Sequence, residues 1–290
     1  MFKFSFNQPD ETTETNDSAK KPEIHSAGYE CEEVLLSDEL NDGISINPDN
    51  LHVFPASEDI LVEYLNCLSI PKEELGLDIL SADMDHSDLV PGRYEGGLKV
   101  WECTFDLGEL MVGNEKYTKL FKGATVLDLG CGAGILGIVA VKLGASKVVF
   151  QDYNREVLEK VTVKNYSCNC RGSAGEAEER MSDDAEVEFF SGDWSSFVDH
   201  VEHQYDVIVT SETIYSSDNY AKLINLFKKK LKPTGVILLA AKTYYFGVGG
   251  NMRLFENALQ TDGHFSSSKI WECKSGVKRE ILEITIKSNA

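Results

Sequence analysis

The feature that most constrains the fold is a regular alternation of strand-like and helix-like apolar patterns. TVLDL (125–129) precedes a helical pattern in AGILGIVAVKLG, and KVVFQD precedes another in NREVLEKVTVKNY. EVEFFSGD, YDVIVTSE and GVILLAAK then supply three more strand patterns, with the helical YAKLINLFKKKL before the last of them. Strands joined by helical crossovers predict a mostly parallel, doubly wound α/β sheet with helices on both faces.

The C-terminal end departs from this alternation. FSSSKIWEC and VKREILEITIK are two strand patterns joined by the turn residues KSG. They predict a hairpin after the last helix, so one of the seven strands should run antiparallel to the others.

The charge is concentrated at the other end. Residues 1–90 contain 21 Asp or Glu and 4 Lys, and so carry −17 of the net charge of −20. We interpret residues 1–90 as an acidic N-terminal extension that is partly disordered, above all over 7–33, and 91–290 as one folded domain. EDILVEYLNCL within the extension predicts an amphipathic helix. The acidic balance argues against binding to bare nucleic acid, and would attract a basic protein.

Cysteine usage and hydropathy indicate the cellular compartment and argue against a metal site and a membrane span. Seven cysteines occur at scattered spacings with no pair of CxxC elements. This favours reduced thiols in a cytosolic or nuclear protein and no metal site. Uninterrupted apolar runs are far shorter than the ~20 residues of a membrane helix, so we expect no membrane association. For the oligomeric state, a monomer is the default expectation.

The glycine-rich turn VLDLGCGAGILG (126–137) predicts nucleotide binding without choosing the nucleotide. GAGILG fits the dinucleotide fingerprint, and GCGAG fits the turn that holds S-adenosylmethionine. Gly130, Gly132 and Gly134 allow close approach of the backbone to a ligand in either case.

Residues at the strand ends are more selective, because ligands of open α/β sheets bind at the carboxyl ends of strands. Asp128 in the first strand can accept hydrogen bonds from an ammonium group, directly or through water, and a methionine moiety has such a group whereas a nicotinamide cofactor does not. Asp152 ends the second strand, where a carboxylate can bind both ribose hydroxyls. Asp193 and Trp194 end the third, suited to an adenine amino group and ring.

Three acidic strand ends followed by SETIY, an EXXY element, resemble the seven-strand S-adenosylmethionine-dependent methyltransferases over residues ~91–290. Together with YEGGLKVWECTFDL (94–107) and KTYYFGVGG (242–250), these motifs are similar to those of the eukaryotic protein-histidine N-methyltransferases, whose members methylate a histidine of a large-subunit ribosomal protein. The resemblance implies a seven-stranded Rossmann-like methyltransferase fold ending in an antiparallel hairpin, S-adenosyl-L-methionine as cofactor and a basic ribosomal protein as substrate.

The resemblance also implies a set of cofactor-binding residues at matching positions. The cofactor would pack against Val100, Trp101, Glu102, Cys103 and Thr104, and its methionine end would lie over Gly130. The ribose would be held by Gln151, Asp152 and Tyr153, and the adenine would be framed by Gly192, Asp193 and Trp194. The pocket would be closed by Ser211. The aromatic residues of KTYYFGVGG are expected to form a wall of the substrate pocket.

The chemistry assigns two catalytic candidates. Histidine, with a pKa of about 6.5, is mostly neutral at pH 7, so its methylation needs alignment and a fixed tautomer more than deprotonation. Glu212 is predicted to accept the N–H of the nitrogen that is not methylated, and Tyr215 to orient the ring.

Three other functions stay open on the residues alone. A protein-lysine methyltransferase shares the EXXY element, a non-catalytic ribosome-assembly factor could retain the fold, and a NAD-dependent dehydrogenase shares the glycines and Asp152. An amino-methylating nucleic-acid enzyme is disfavoured because SETIY contains no proline.

Overall fold

The alternation of strands and helices folds into one mixed sheet of eight strands. The computed structural model describes residues 29–36, 48–66, 70, 75–76, 79–80, 89–170 and 185–287. Strand order in the sheet is β1-β6-β5-β4-β7-β8-β10-β9, and β2 and β3 form a separate pair. The strands are β1 (Glu32–Glu33), β2 (Leu51–Pro55), β3 (Leu61–Leu65), β4 (Thr125–Leu129), β5 (Lys147–Asp152), β6 (Glu186–Ser191), β7 (Tyr205–Ser211), β8 (Leu231–Lys242), β9 (Phe265–Glu272) and β10 (Arg279–Ile286).

Strand direction confirms the predicted fold class. β4 to β8 run parallel to one another. β10 runs antiparallel to both β8 and β9, so the C-terminal hairpin is present as expected. β1 adds an eighth, antiparallel strand beyond β6. Because the five parallel strands share one direction, all of their carboxyl ends meet at one edge of the sheet.

Helices cover both faces. They are α1 (Glu102–Gly113), α2 (Glu115–Phe121), α3 (Ile135–Lys142), α4 (Arg155–Val157), a π-helical segment (Leu158–Thr162), α5 (Val163–Cys170), α6 (Trp194–His200), α7 (Tyr220–Lys230) and α8 (Met252–Asp262). One apolar layer joins the sheet to α1, α3 and α5, and the other joins it to α6, α7 and α8. Seven of the eight residues of α3 are buried, as its uniformly apolar sequence requires. No helix in the described ranges is long and apolar enough to span a bilayer.

The helix predicted from EDILVEYLNCL is wrong. Leu61–Leu65 is strand β3, antiparallel to β2, with Val62 and Leu65 buried and Leu61 and Glu63 exposed. The backbone N–H groups of Glu63 and Leu65 donate to Asn169 and Asn165 of α5. Partners distant in sequence thus satisfy this backbone, and sequence periodicity does not report them.

Part of the expected acidic extension packs on the domain. Residues 1–28 and the loop 171–184 lie outside the described residues. Glu32 and Glu33, within the stretch expected to be disordered, pair with β6 instead. Phe54 of β2 belongs to the same apolar layer as α1 and α3. The domain boundary at residue 91 stays a prediction.

Candidate active site

A pocket of about 570 Å³ lies at the carboxyl ends of β4, β5, β6 and β7, beneath the segment 91–104. Its volume falls in the range of about 300–1,000 Å³ that is typical of ligand pockets. Twelve of the predicted residues line it: Val100, Trp101, Thr104, Gly130, Gly132, Asp152, Tyr153, Asp193, Trp194, Ser211, Glu212 and Tyr215. Glu102, Cys103, Asp128, Gly134, Gln151 and Gly192 lie outside this lining, around or behind it.

The turn after β4 depends on glycine for two reasons. Gly132 has φ of 50°, and a Cβ there would stand 3.0 Å from the carbonyl oxygen of Gly97, on the segment that covers the pocket. Gly134 has φ of 74°, but a Cβ there would meet Thr162, away from the pocket. Gly132 therefore keeps the pocket open, whereas Gly134 permits the packing of the turn against the π-helical segment.

Asp128 holds this turn rather than facing the pocket. Its carboxylate is 1% exposed, and Oδ2 accepts a 2.8 Å hydrogen bond from the N–H of Gly137 in α3. Burial raises the pKa of Asp128 to about 8. The carboxyl group is enclosed under the glycines and is not part of the pocket lining. The predicted hydrogen bond from a ligand ammonium, directly or through water, stays a prediction.

Asp152 combines a pocket position with a fixed carboxylate. Oδ2 accepts from the N–H of Gly132 at 2.9 Å, and Oδ1 accepts from the N–H of Asn154 at 3.1 Å. Burial raises the pKa of Asp152 to about 6. At pH 7 it is therefore mainly an anion with acceptor capacity on both oxygens, as ribose binding requires.

The Asp193 and Trp194 end of the pocket is built by three contacts. Asp193 begins α6, where Oδ1 accepts from the N–H of Ser195 at 2.8 Å and Oδ2 pairs with Nζ of Lys222 at 2.6 Å. Trp194 donates its indole N–H to Oε1 of Gln151 at 3.2 Å. Gln151 is thus a support for the tryptophan. Lys222 was not predicted, because it lies on α7, far from every strand-end motif.

Glu95 connects the covering segment to the EXXY element. Its Oε1 accepts from the N–H of Gly92 at 2.7 Å, and Oε2 accepts from the hydroxyl of Tyr215. Tyr153 adds a hydrogen bond to the carbonyl of Gly92 at 2.9 Å. Glu95 lies inside the YEGG motif, but no local pattern predicts its contact with the EXXY tyrosine, 120 residues away.

Glu212 is the most constrained residue of the pocket. Its φ of 61° is the only positive value outside glycine in the described ranges. Such a conformation costs roughly 1–3 kcal/mol and tends to occur at functional sites. Oε2 accepts a 2.5 Å hydrogen bond from the hydroxyl of Tyr245, whereas no hydrogen-bond donor among the described residues reaches the buried Oε1. The nearest cation to Oε1 is Nζ of Lys242 at 3.6 Å.

The neighbours of Glu212 include a cation and several neutral polar groups. Nζ of Lys242 lies 4.5 Å from the ring centre of Trp101. Thr104 and Ser211 share a 2.8 Å hydrogen bond between their hydroxyls. Burial raises the pKa of the Cys103 thiol far above its usual range, so this neighbour of Glu212 stays neutral. Oε1 of Glu212 is therefore a buried carboxylate oxygen with a cation at 3.6 Å and no hydrogen-bond donor among the described residues.

Comparison with known proteins identifies the family. A family model described as a methyltransferase domain matches residues 111–267. The chain is 36% identical over 295 residues to "Histidine protein methyltransferase 1 homolog" of Rattus norvegicus, which covers 96% of this chain and 78% of that protein. The Mus musculus protein of the same name is 38% identical over 255 residues, covering 82% and 70%. The chain belongs to the histidine protein methyltransferases.

Membership makes it an S-adenosylmethionine-dependent methyltransferase, as the strand-end motifs predict. A solved structure of a candidate SAM-dependent methyltransferase from Streptococcus mutans matches with a TM-score of 0.52 and 11% identity, covering 83% of this chain and 57% of that one. At that identity the match supports the fold alone.

Proposed function

We propose that this histidine protein methyltransferase transfers a methyl group from S-adenosylmethionine to a ring nitrogen of a histidine in a large-subunit ribosomal protein, in the cytosol or nucleus. The observation that carries the proposal is the buried carboxylate of Glu212, a residue of the pocket lining: Tyr245 donates to one oxygen, and the other has no hydrogen-bond donor among the described residues. An imidazole presents one N–H when its other nitrogen is the nucleophile, and one carboxylate oxygen without a donor matches that need.

The pocket fits the cofactor at several points. Asp152 offers a fixed, buried carboxylate for ribose hydroxyls. Gly132 leaves a space that a Cβ would narrow against Gly97. Trp194, oriented by Gln151, offers an aromatic face for the adenine. When bound, S-adenosylmethionine supplies a methyl group that leaves its sulfonium as the histidine nitrogen bonds to the methyl carbon and the sulfur keeps the electron pair.

The chain's own residues then hold the acceptor and its proton. Glu212 Oε1 accepts the N–H of the other ring nitrogen, which fixes the tautomer with the reacting lone pair exposed. As the ring becomes cationic, the nearby carboxylate stabilises the charge and is placed to take that proton. Tyr215 lines the pocket and donates its hydroxyl to Glu95, so its ring is held in place to orient the imidazole. The covering segment and Trp101 restrict water at the same point.

The surface beside the pocket suits a protein substrate. Phe246 is 80% exposed and Tyr244 53% exposed, with their rings edge to face at 4.8 Å. Exposed aromatic residues of this kind are typical of protein contact sites. The net charge of −20 favours a basic partner, as ribosomal proteins are. "Ribosomal protein L11 methyltransferase" of Thermosipho melanesiensis is 33% identical over 136 residues, covering 46% of this chain and 44% of that protein.

The test is methylation of ribosomal proteins from cells that lack this enzyme, using radiolabelled S-adenosylmethionine followed by acid hydrolysis and amino-acid analysis. Label in methylhistidine on one large-subunit protein, lost with Glu212→Gln, is the expected result. Label in methyllysine would assign the chain a different acceptor. Cofactor binding without any transfer, to free proteins or to assembled subunits, would favour the non-catalytic assembly factor.

A further inference from the structure

We propose that Tyr245 is a positioning residue for methyl transfer: its hydroxyl holds Oε2 of Glu212 so that Oε1 is the oxygen presented to the acceptor ring. The inference rests on the proposed function, because Glu212 must act on the acceptor. It goes further by assigning a role to a residue outside the EXXY element.

The loop 243–251 turns Tyr245 inward while its neighbours face solvent. Tyr245 is 9% exposed, in contrast to 53% for Tyr244 and 80% for Phe246. The loop is closed on itself by a hydrogen bond from the N–H of Tyr245 to the carbonyl of Gly250 at 3.1 Å. The N–H of Gly250 in turn donates to the carbonyl of Tyr215 at 2.7 Å. The same short loop is therefore attached to the backbone of the EXXY element and to the side chain of its glutamate.

The hydrogen bonds of the Tyr245 hydroxyl determine its direction. Its oxygen accepts from the backbone N–H of Lys242 at 3.3 Å. Its single proton is then directed to Glu212 Oε2 at 2.5 Å, and a phenol has no second proton to donate. The tyrosine can donate to only one carboxylate oxygen, which leaves Oε1 with the cation of Lys242 at 3.6 Å but without a hydrogen bond.

A carboxylate at this position needs such a restraint. The terminal torsion of glutamate is broad, so the backbone alone does not fix the plane of its oxygens. The φ of 61° determines the direction in which the Glu212 side chain leaves the backbone. The contacts with Tyr245 and Lys242 determine the position of its carboxylate. Alignment of reacting groups accounts for a large share of the rate in displacements of this type. Loss of the hydroxyl should therefore lower turnover before it affects cofactor binding.

The experiment compares Tyr245→Phe in the wild-type and Glu212→Gln backgrounds. Tyr117→Phe is the matched control, because Tyr117 is also a buried tyrosine whose hydroxyl contacts a glutamate, Glu283, away from the pocket. In the wild-type background we expect Tyr245→Phe to lower kcat about 10- to 100-fold, the range for a lost charge-assisted hydrogen bond, with the Kd for S-adenosylmethionine unchanged. Tyr117→Phe should leave kcat within about twofold of the wild-type value, while lowering Tm by about as much as Tyr245→Phe does.

Two readouts separate positioning from structural support. In the Glu212→Gln background, Tyr245→Phe should change kcat by less than about threefold, because the two residues act as a unit. The second readout is the separation of kcat from cofactor binding: a positioning role lowers kcat and leaves the Kd for S-adenosylmethionine unchanged, whereas a structural role weakens both.

Equal losses of kcat in both backgrounds, or full activity of Tyr245→Phe, would overturn the inference and leave the proposed function intact. Full activity of Glu212→Gln would overturn the proposed role of Glu212 and this inference together.

Discussion

Asp152→Asn is the substitution that most directly tests how the pocket holds its cofactor. Each Asp152 oxygen already accepts one backbone N–H, from Gly132 or from Asn154, and so retains one lone pair for a ribose hydroxyl. An asparagine replaces one oxygen by an NH₂ group that cannot accept. At least one charge-assisted hydrogen bond to the ligand is lost, about 1.5–3 kcal/mol, or roughly a 10- to 150-fold rise in Kd.

The pH dependence provides a second, independent measure. Because burial raises the pKa of Asp152 to about 6, the group is ionised above that pH and neutral below it. Ribose binding uses the ionised form, so the Kd of the wild type should rise about tenfold per pH unit below 6. Stability moves the other way: a carboxyl whose pKa is raised on folding costs stability above pH 6, and the cost is relieved as pH falls towards its unfolded value. Weaker binding at low pH is therefore not unfolding caused by this group.

Calorimetric titration of S-adenosylmethionine at pH 7.5, 6.0 and 5.0 measures both effects. Asp262→Asn is the control, because Asp262 pairs with Lys228 far from the pocket. The control should reproduce the wild-type Kd at each pH, whereas Asp152→Asn should bind weakly with little dependence on pH. A wild-type Kd that is flat across this range, together with an unchanged Kd for Asp152→Asn, would refute the assignment of Asp152 to the ribose.

Three further predictions follow from the same geometry. Gly132→Ala should abolish measurable cofactor binding because its Cβ meets the Gly97 carbonyl, whereas Gly276→Ala, also at positive φ but in open space, should cost about 1 kcal/mol with an unchanged Kd in titration. Phe246→Ala should raise KM for the protein substrate about tenfold, with the cofactor Kd unchanged, in steady-state assays. Asp128→Asn should melt near the wild-type Tm at about pH 4 and increasingly above it as the pH rises towards 8, because over that range the wild-type carboxyl ionises in the unfolded chain but stays neutral in the fold.

The parallel sheet and the terminal hairpin could be predicted from the sequence because each depends on local apolar patterns and turn residues. All seven strand segments read from apolar runs of β4 to β10 are present. The β3 segment failed because five residues with a mixed pattern could form either element, and the partners that decide, Asn165 and Asn169, lie about 100 residues away. The β1 pairing was missed for the same reason, since two glutamates carry no strand signal of their own.

Within the site, the sequence by itself determined that the strand-end residues lie together around one pocket. The strand-end acids, the glycines and the EXXY element each follow a strand, and parallel strands bring such residues to one edge whatever the details of packing. Family membership and the choice of cofactor follow from those same local motifs.

Only the tertiary structure decided which of these side chains face the pocket and which support it. Asp128 is enclosed beneath the turn, Gln151 orients Trp194, and Tyr245 is the aromatic residue of its loop that turns inward to Glu212. These outcomes depend on contacts between residues that lie 9, 43 and 33 positions apart in the chain, and each contact joins two different structural elements. The direction in which a side chain points and the extent of its burial depend on how the elements pack together, and a local sequence pattern does not contain that information.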